Sequence, residues 1–461
     1  MTSALDPAVT PTLSRDTAHQ RAWYWYDWAN SAYVTTTLTV LMAPYLTVIA
    51  KKAACPTLPS DVACHHNLHV IGIPVAPGSL VFYVLTFSTI LSAVVLIFVG
   101  AIADRSPRPV RLLAMFAWAG AAAACAMFLV SGSSWALGVV LLVWANLCLG
   151  SSLVIYDSLL CRIASPDERD RVSSRGWAWG YLGGGLLLAL NLGLLTLATK
   201  LGISQEMAVR ISLLSAGLWW GAFTIIPVVG LRDLKGVAEV TATGSGPISG
   251  SLRQLSTTLR DLRLYPQTVL FLLAYLFFND GIQTVINVSS VYGAEELKFS
   301  SSQLVQIILL VQVVAFGGAL LFGRLANRFG AWRVVLNSLG LWTLVVAIAF
   351  LVPARAFLVF AGLAVLIGLV LGGSQALSRS LYSQLVPRGR EAEFFSLYQA
   401  MERGTSWFGT LVFGLVHQFT DSYRWAILAL VVFFVLGGLL LSRVRMREGI
   451  EAAGNVVPAV V

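Results

Sequence analysis

Six ionisable side chains stand inside stretches of sequence that are otherwise apolar: Asp27, Asp157, Asp280, Arg379, Glu402 and Arg403. Burying such groups in a bilayer is expensive, so their presence marks a solute, ion or proton pathway by default. The chemistry open to them is binding rather than bond-making. A carboxylate can take up and release a proton, and a guanidinium holds a carboxylate through two parallel hydrogen bonds. Amides accompany Asp280: Asn279 precedes it, and Gln283 and Asn287 follow on the same helical face. The sequence has no Gly-x-x-x-x-Gly-Lys-Ser/Thr phosphate loop, nucleophile elbow or metal-protease helix. Neither direct ATP drive nor enzyme activity is expected, and no cofactor or metal is called for.

The elements that must carry these residues are membrane helices. Of 461 residues, 57% are hydrophobic and 11% charged, whereas soluble domains run nearer a quarter charged. Apolar runs of the ~20 residues that cross a bilayer recur along the chain. Read between charged loops, they give twelve spans near 22–50, 78–103, 110–130, 135–163, 170–199, 209–231, 266–292, 302–323, 332–352, 355–384, 391–418 and 423–442. The first 20 residues are polar and make no signal peptide, so the chain is expected to insert through its own first helix. The net charge of +9 is concentrated in every second loop, for example Arg105, Arg108 and Arg111, or Arg324, Arg328 and Arg333. That pattern sets topology rather than nucleic-acid binding, and it places both termini in the cytoplasm. The fold class expected is therefore an all-α, multi-pass integral membrane protein, in the inner membrane if bacterial.

The two halves repeat. "GAIADRSPRPVR" (Gly100–Arg111) leaves the second span and "GRLANRFGAWR" (Gly323–Arg333) leaves the eighth. The expected organisation is a first six-helix half over 1–231, a cytoplasmic linker over 232–265 and a second half over 266–461. In the linker, Leu252, Leu255, Leu259 and Leu262 share one helical face, as in an amphipathic helix lying on the membrane. The outer loop after the first span holds Cys55 and Cys64, expected as a disulfide. A metal site from Cys64, His65, His66 and His69 is the alternative, without a standard spacing.

Gly100, Asp104, Arg105 and Arg108 resemble the Gly-x-x-x-Asp-Arg-x-x-Arg signature of the major facilitator superfamily. The match departs at Pro109 and at Asn327, which replaces the second acidic residue. A closer resemblance covers almost the whole chain. "WYDWANSAY" (Trp25–Tyr33), "WAWGYLGGG" (Trp177–Gly185), "LLAYLFFNDGIQTVI" (Leu272–Ile286), "GGSQALSRS" (Gly372–Ser380) and "EAEFFSLY" (Glu391–Tyr398) are similar to the vacuole effluxer-like branch. Its fungal members, linked to autophagy, release amino acids from the vacuole. The resemblance implies twelve helices in the major facilitator fold, with spans one, four, seven and ten lining a cavity. It also implies that Asp104, Arg105 and Arg108 brace the halves on the cytoplasmic side.

Depth sorts the charges, at ~1.5 Å rise per residue. Asn279, Asp280, Gln283, Glu402 and Arg403 fall near span centres and suit substrate and proton binding, with Asp280 the expected partner of Arg403. Asn30 and Tyr33 are weaker candidates for the same cavity. Asp27, Asp157 and Arg379 lie closer to the cytoplasm and suit a gate of ion pairs. Static pairing is the alternative for the deep set, and water-wetted interfacial residues for the shallow one. Tyr26, Trp28 and their neighbours are expected as an interfacial aromatic belt. Gly180, Gly183, Gly184 and Gly185, with Gly317 and Gly318, are expected to let the halves approach. The function expected is secondary transport of a small polar solute, most simply an amino acid, coupled to protons and carried out by a monomer. Export of amphipathic or lipid-like molecules and a non-transporting scaffold or receptor are the alternatives.

Overall fold

The computed structural model describes residues 13–56, 66–70, 72–236, 261–404 and 406–461. The first half runs through α1 (Leu13–Tyr33), a π-helical stretch (Val34–Leu41) and α2 (Met42–Ala54). A small hairpin, β1 (Leu68–Val70) against β2 (Ile73–Val75), follows at one end of the bundle. Then come α3 (Leu80–Arg105), α4 (Pro109–Ala126), α5 (Trp135–Ile163), α6 (Arg169–Leu197), α7 (Gln205–Phe223) and α8 (Ile225–Gly230). The second half holds α9 (Pro266–Val291), α10 (Ser301–Phe329), α11 (Ala331–Leu351) and α12 (Phe357–Gln384). It ends with α13 (Glu391–Gly404), α14 (Ser406–Thr420), α15 (Tyr423–Leu428), α16 (Val431–Arg443) and α17 (Met446–Ala452).

Among the described residues, eleven helical runs are long and apolar enough to cross a membrane, from Thr17–Ala54 to Tyr423–Arg443. They coincide with the expected spans except over 391–418. There the chain forms α13 and α14, of 14 and 15 residues, each shorter than the ~20 a crossing needs. Glu391, Glu393, Glu402 and Arg403 make α13 too polar to read as a membrane segment on composition. The expected amphipathic helix lies for the most part outside the described residues. Its end appears as a short 3₁₀ turn, Leu262–Leu264.

Local chemistry accounts for the irregular first span. Pro44 has no N–H, and in a regular helix its ring would press on the carbonyl of Val40. The π-helical stretch ends just before it, at Leu41, and absorbs the misfit. Other ends follow ordinary rules. Pro109 and Pro266 occupy first helical positions, and Ser300 forms a capping box with Gln303 at the start of α10.

The second half has one large apolar core, whereas the first has two main ones, one of which takes in Ala392 of α13. In the second half Tyr275 stacks on Tyr398 at 4.2 Å and Trp342 on Phe434 at 5.5 Å. In the first, Trp25, Trp28, Trp219 and Phe223 pack between α1 and α7. This replaces the expected interfacial belt: Trp23, Tyr26 and Trp28 are buried inside the half. Aromatic rings on adjacent helical turns find more contact with one another than with headgroups.

The halves meet where α6 packs on α10 and α12, and where α13 packs on α3 and α5. The glycine stripe of α6 does not make this seam. A Cβ on Gly180, Gly183 or Gly184 would strike Ser31, Trp28 or Thr35, all in the first span. Gly185 alone of the four faces α10, at Gln312, while Gly318 lies against Leu369 of α12 and Gly317 touches nothing. The stripe therefore seats the first span inside its own half.

Just after α2, Cys55 is buried and disulfide-bonded, while Cys64 and His65 lie outside the described residues. Among the described residues no group of three His, Cys, Asp or Glu side chains could hold a metal.

Candidate functional site

Arg379 projects from α12 into the first half. Its Nη2 lies 3.1 Å from Asp27 Oδ2 and its Nη1 3.2 Å from Asp157 Oδ1. Its Nε donates to Ser173 Oγ at 3.0 Å, and Nη2 also donates to the Ser173 carbonyl at 3.1 Å. Tyr156 OH donates to Asp27 Oδ2 at 2.7 Å. Three rings surround the guanidinium, with centres 4.7 Å away for Trp23, 5.4 Å for Trp177 and 5.5 Å for Tyr156. Planar, weakly hydrated guanidinium suits such a ring-lined box better than ammonium would. Trp23 and Asp27 are four residues apart on one helix face, so the aromatic residue before the aspartate forms a wall of its site.

This cluster is dry. Asp27 is 6% exposed, Asp157 1% and Arg379 3%, which removes the reading of interfacial residues wetted by water. Gly176 provides the room: a Cβ there would stand 2.5 Å from Asp27 Oδ2 and 2.7 Å from the Trp23 ring.

Further from the arginine-rich end, Gln399 of α13 continues the network. Its Nε2 donates to Asp157 Oδ2 at 2.8 Å and to Glu402 Oε2 at 3.2 Å. Its Oε1 accepts from Arg403 Nε at 3.3 Å. The two expected layers are thus one chain of polar contacts joined through a neutral amide. Gln399 lies three and four residues before Glu402 and Arg403, a helical spacing visible in the sequence. A search restricted to charges passes over it.

Beyond Gln399 a cavity of about 220 Å³ opens between the halves. Gln283, Glu402 and Arg403 line it from the second half together with Asn287. Ser88 and Ser92 of α3 and Asn146 of α5 face them from the first half, with Val34 and Leu38 of the π-helical stretch. Ser88 and Ser92 are one helical turn apart, a polar stripe that a census of charges also misses.

The other expected cavity residues sit elsewhere. Asn279 is buried behind the cavity, accepting from Gln375 Nε2 at 2.9 Å and donating to the Glu402 carbonyl at 3.4 Å. Asp280 does not meet Arg403. One residue further on, it turns ~100° around the helix, and its Oδ2 accepts from the Gly409 amide of α14 at 2.8 Å. Among the described residues its Oδ1 has no partner. Asn30 donates to the Tyr26 carbonyl of its own helix at 2.6 Å. Tyr33 stacks on Trp220 and approaches Asn146 Oδ1 at 3.5 Å, behind the lining.

At the arginine-rich end the halves are closed. Asp104 accepts from the Ala392 and Glu393 amides at 2.8 Å each, placing a carboxylate on the first turn of α13. Gly100 permits this approach, since a Cβ there would lie 2.6 Å from the Ala392 carbonyl oxygen. Arg105 and Arg108 are exposed beside it. Arg169 donates to the Ser383 carbonyl at 2.8 Å, Gln384 to the Pro166 carbonyl at 2.8 Å, and Ser380 to Asp170. In the second copy of the motif Gly323 still packs against Ser174, but Asn327 is exposed.

Residues 15–454 match the family described as vacuole effluxer Atg22 like. The chain is 29% identical to the uncharacterized MFS-type transporter YxiO of Bacillus subtilis, over 93% of this chain and 95% of that one. It is 25% identical to autophagy-related protein 22-1 of Phaeosphaeria nodorum, over 84% and 79% respectively. Among solved structures, a bacterial homologue of the iron transporter ferroportin in its outward-facing state superposes with a TM-score of 0.66 at 14% identity, covering 93% of this chain and 98% of that one. The proton:xylose symporter XylE superposes with a TM-score of 0.66 at 12% identity, covering 93% and 96%. These likenesses show the major facilitator fold.

Proposed function

Because the chain belongs to the Atg22-like vacuole effluxer family, an integral multi-pass family of transporters rather than enzymes, we propose that it carries a small zwitterionic solute, most simply an amino acid. The observation that carries this reading is the cavity between the halves, with Glu402 and Arg403 on one wall and Ser88, Ser92 and Asn146 on the other. A guanidinium for a carboxylate, a carboxylate for an ammonium and hydroxyls around them suit an α-amino acid. A lining this polar favours such a solute over an amphipathic or lipid-like one.

The same reading gives the architecture twelve crossings, with α13 and α14 together forming the eleventh. It keeps halves of 1–231 and 266–461, joined by the linker 232–265, and a monomeric unit. The arginine-rich loops put both ends of the chain on the cytoplasmic side. The structure then corresponds to a state closed toward the cytoplasm, with Arg379, Asp27 and Asp157 as the gate and Asp104 as its brace. Arg105 and Arg108 contribute charge at its rim. Transport proceeds by separating these contacts while the cavity closes outside.

Proton coupling is supported by a charge count along the network that runs from the buried Arg379 cluster to the cavity wall. Asp27, Asp157 and Glu402 contribute −3 and Arg379 and Arg403 +2, leaving −1. One proton balances it, whereas a zwitterion does not change it. Glu402 faces the cavity and is the carrier; Asp280, held on α14, is the secondary candidate.

The test is counterflow of labelled amino acids in proteoliposomes, with and without an imposed pH difference. Arg403→Ala should abolish binding and all flux. Glu402→Gln, which also removes the partner of the ammonium, should weaken exchange and abolish accumulation under a pH difference. A Glu402→Gln protein that still concentrates solute under a pH difference would sink the coupling role.

A further inference from the structure

The closed end contains a second, larger cavity, of about 490 Å³. One wall is the α5–α6 link of the first half, with Arg162; the other is the α12–α13 link of the second, with Arg388 and Glu391. Asn455, beyond α17, completes the wall. Its Nδ2 donates to the Gln384 and Val386 carbonyls at 2.9 and 2.7 Å, and its Oδ1 accepts from Arg388 Nε at 3.4 Å.

Among the described residues, one atom of each of two charged side chains in this wall has no partner. Glu391 is 8% exposed, and while its Oε1 accepts from the Gly389 amide at 3.1 Å, its Oε2 accepts from nothing. Arg162 donates through Nη1 to the Lys235 carbonyl at 3.0 Å, but its buried Nε donates to nothing. Leaving a buried charged acceptor and donor unsatisfied is costly. The two groups do not pair with each other, although they line one cavity. A molecule that carries an ammonium and a carboxylate on a short frame matches the charges of the two side chains, and reaches Glu391 Oε2 and Arg162 Nε once each side chain turns toward the cavity.

We propose that this cavity is a second binding site for a small zwitterion of the α-amino-acid class, with its ammonium on Glu391 and its carboxylate on Arg162 and Arg388. The proposal rests on the transport reading above for its consequence, but not for its chemistry. Because the walls come from both halves, the site exists only while this end is closed. A ligand that binds one state alone shifts the equilibrium toward it by the factor 1 + [L]/Kd. Zwitterions on the cytoplasmic side therefore slow inward opening, and the delivered solute restrains its own delivery.

Cys161 is a built-in reporter, a free, half-buried thiol in the wall of this cavity. In a Cys125→Ala, Cys148→Ala background in nanodiscs, its modification by N-ethylmaleimide is followed with alanine, N-acetylalanine or ethylamine present. Alanine at ten times its Kd should slow labelling about tenfold, and neither half-molecule should match it. Protection should disappear in Glu391→Gln and in Arg162→Gln, which leaves α13 untouched, and persist in Arg403→Ala. Loss of alanine counterflow in Arg403→Ala with Cys161 protection intact separates this site from the transport cavity. Unchanged labelling with alanine, or protection that survives both Glu391→Gln and Arg162→Gln, overturns the proposal. So does protection that vanishes in Arg403→Ala, since it is then relayed from the other cavity.

Discussion

Replacing Asp27 by asparagine should tip the protein toward the state in which the arginine-rich end is open. In the closed state its carboxylate takes Arg379 Nη2 at 3.1 Å and Tyr156 OH at 2.7 Å. Asparagine keeps the shape and one acceptor but loses the charge. Arg379 retains Asp157 at 3.2 Å and Ser173, so the guanidinium is not orphaned and the full cost of breaking a buried pair does not apply. What is lost is one charge-assisted interaction, about 1.5–3 kcal/mol. If the separated groups are hydrated when this end opens, the whole of that loss appears as a shift in the equilibrium, roughly 10- to 150-fold. Spin labels at Ser165 and Arg388, on opposite sides of the seam, report it by double electron–electron resonance in a background without Cys125, Cys148 and Cys161. The short-distance population should dominate in the parent and give way to a longer one in Asp27→Asn. Indistinguishable distance distributions, in protein that folds and binds normally, would refute the claim that this ion pair holds the halves together.

Three other substitutions probe the same network. Gly176→Ala puts a methyl 2.5 Å from Asp27 Oδ2; at the ~1–3 kcal/mol of an overpacked core, it should lower thermal stability and mimic Asp27→Asn in the distance measurement. Asp104→Asn replaces the carboxylate on the first turn of α13 by an amide and should weaken closure by about 0.3–1 kcal/mol, visible as a two- to fivefold gain in labelling of Cys161. Gln399→Leu should leave the Arg379 cluster standing yet make its spin-label distances insensitive to added amino acid, while the parent responds. An unaltered response in Gln399→Leu would show that the amide carries no coupling.

Much of this site could be read from residue types, and what could not has a common cause. Asp27, Asp157 and Arg379 stand out because a charge in an apolar run is costly wherever it lies. Their equal displacement from the span centres anticipates that they meet. Tyr156, Ser173, Gly176 and Gln399 give no such signal, since neutral polar and small residues are ordinary in membrane helices. The pairing of Asp280 with Arg403 failed for another reason. Depth along a helix follows from counting, but direction around it requires knowing which neighbour each face meets. The same ignorance misassigned the glycines of α6, whose small surface was legible and whose partner, the first span rather than α10, was not. The apolar run expected over 391–418 divides instead into α13 and α14, because the charges of α13 were averaged with the apolar residues that follow them.

Gln399 has one property that its neighbours lack: every hydrogen-bonding valence of its amide that the network uses is already committed. One nitrogen serves Asp157 and Glu402, and the oxygen serves Arg403. The amide N–H groups cannot serve a new acceptor on the cavity side without releasing Asp157 or Glu402. A solute that draws Glu402 or Arg403 toward itself changes what Asp157 receives, and therefore how firmly Arg379 is held, with no shift of the backbone required. Coupling of this kind would work by competition for a fixed number of hydrogens. On the transport reading proposed above, an uncharged side chain of ordinary size would be the place where the filling of the cavity is compared with the closing of the arginine-rich end.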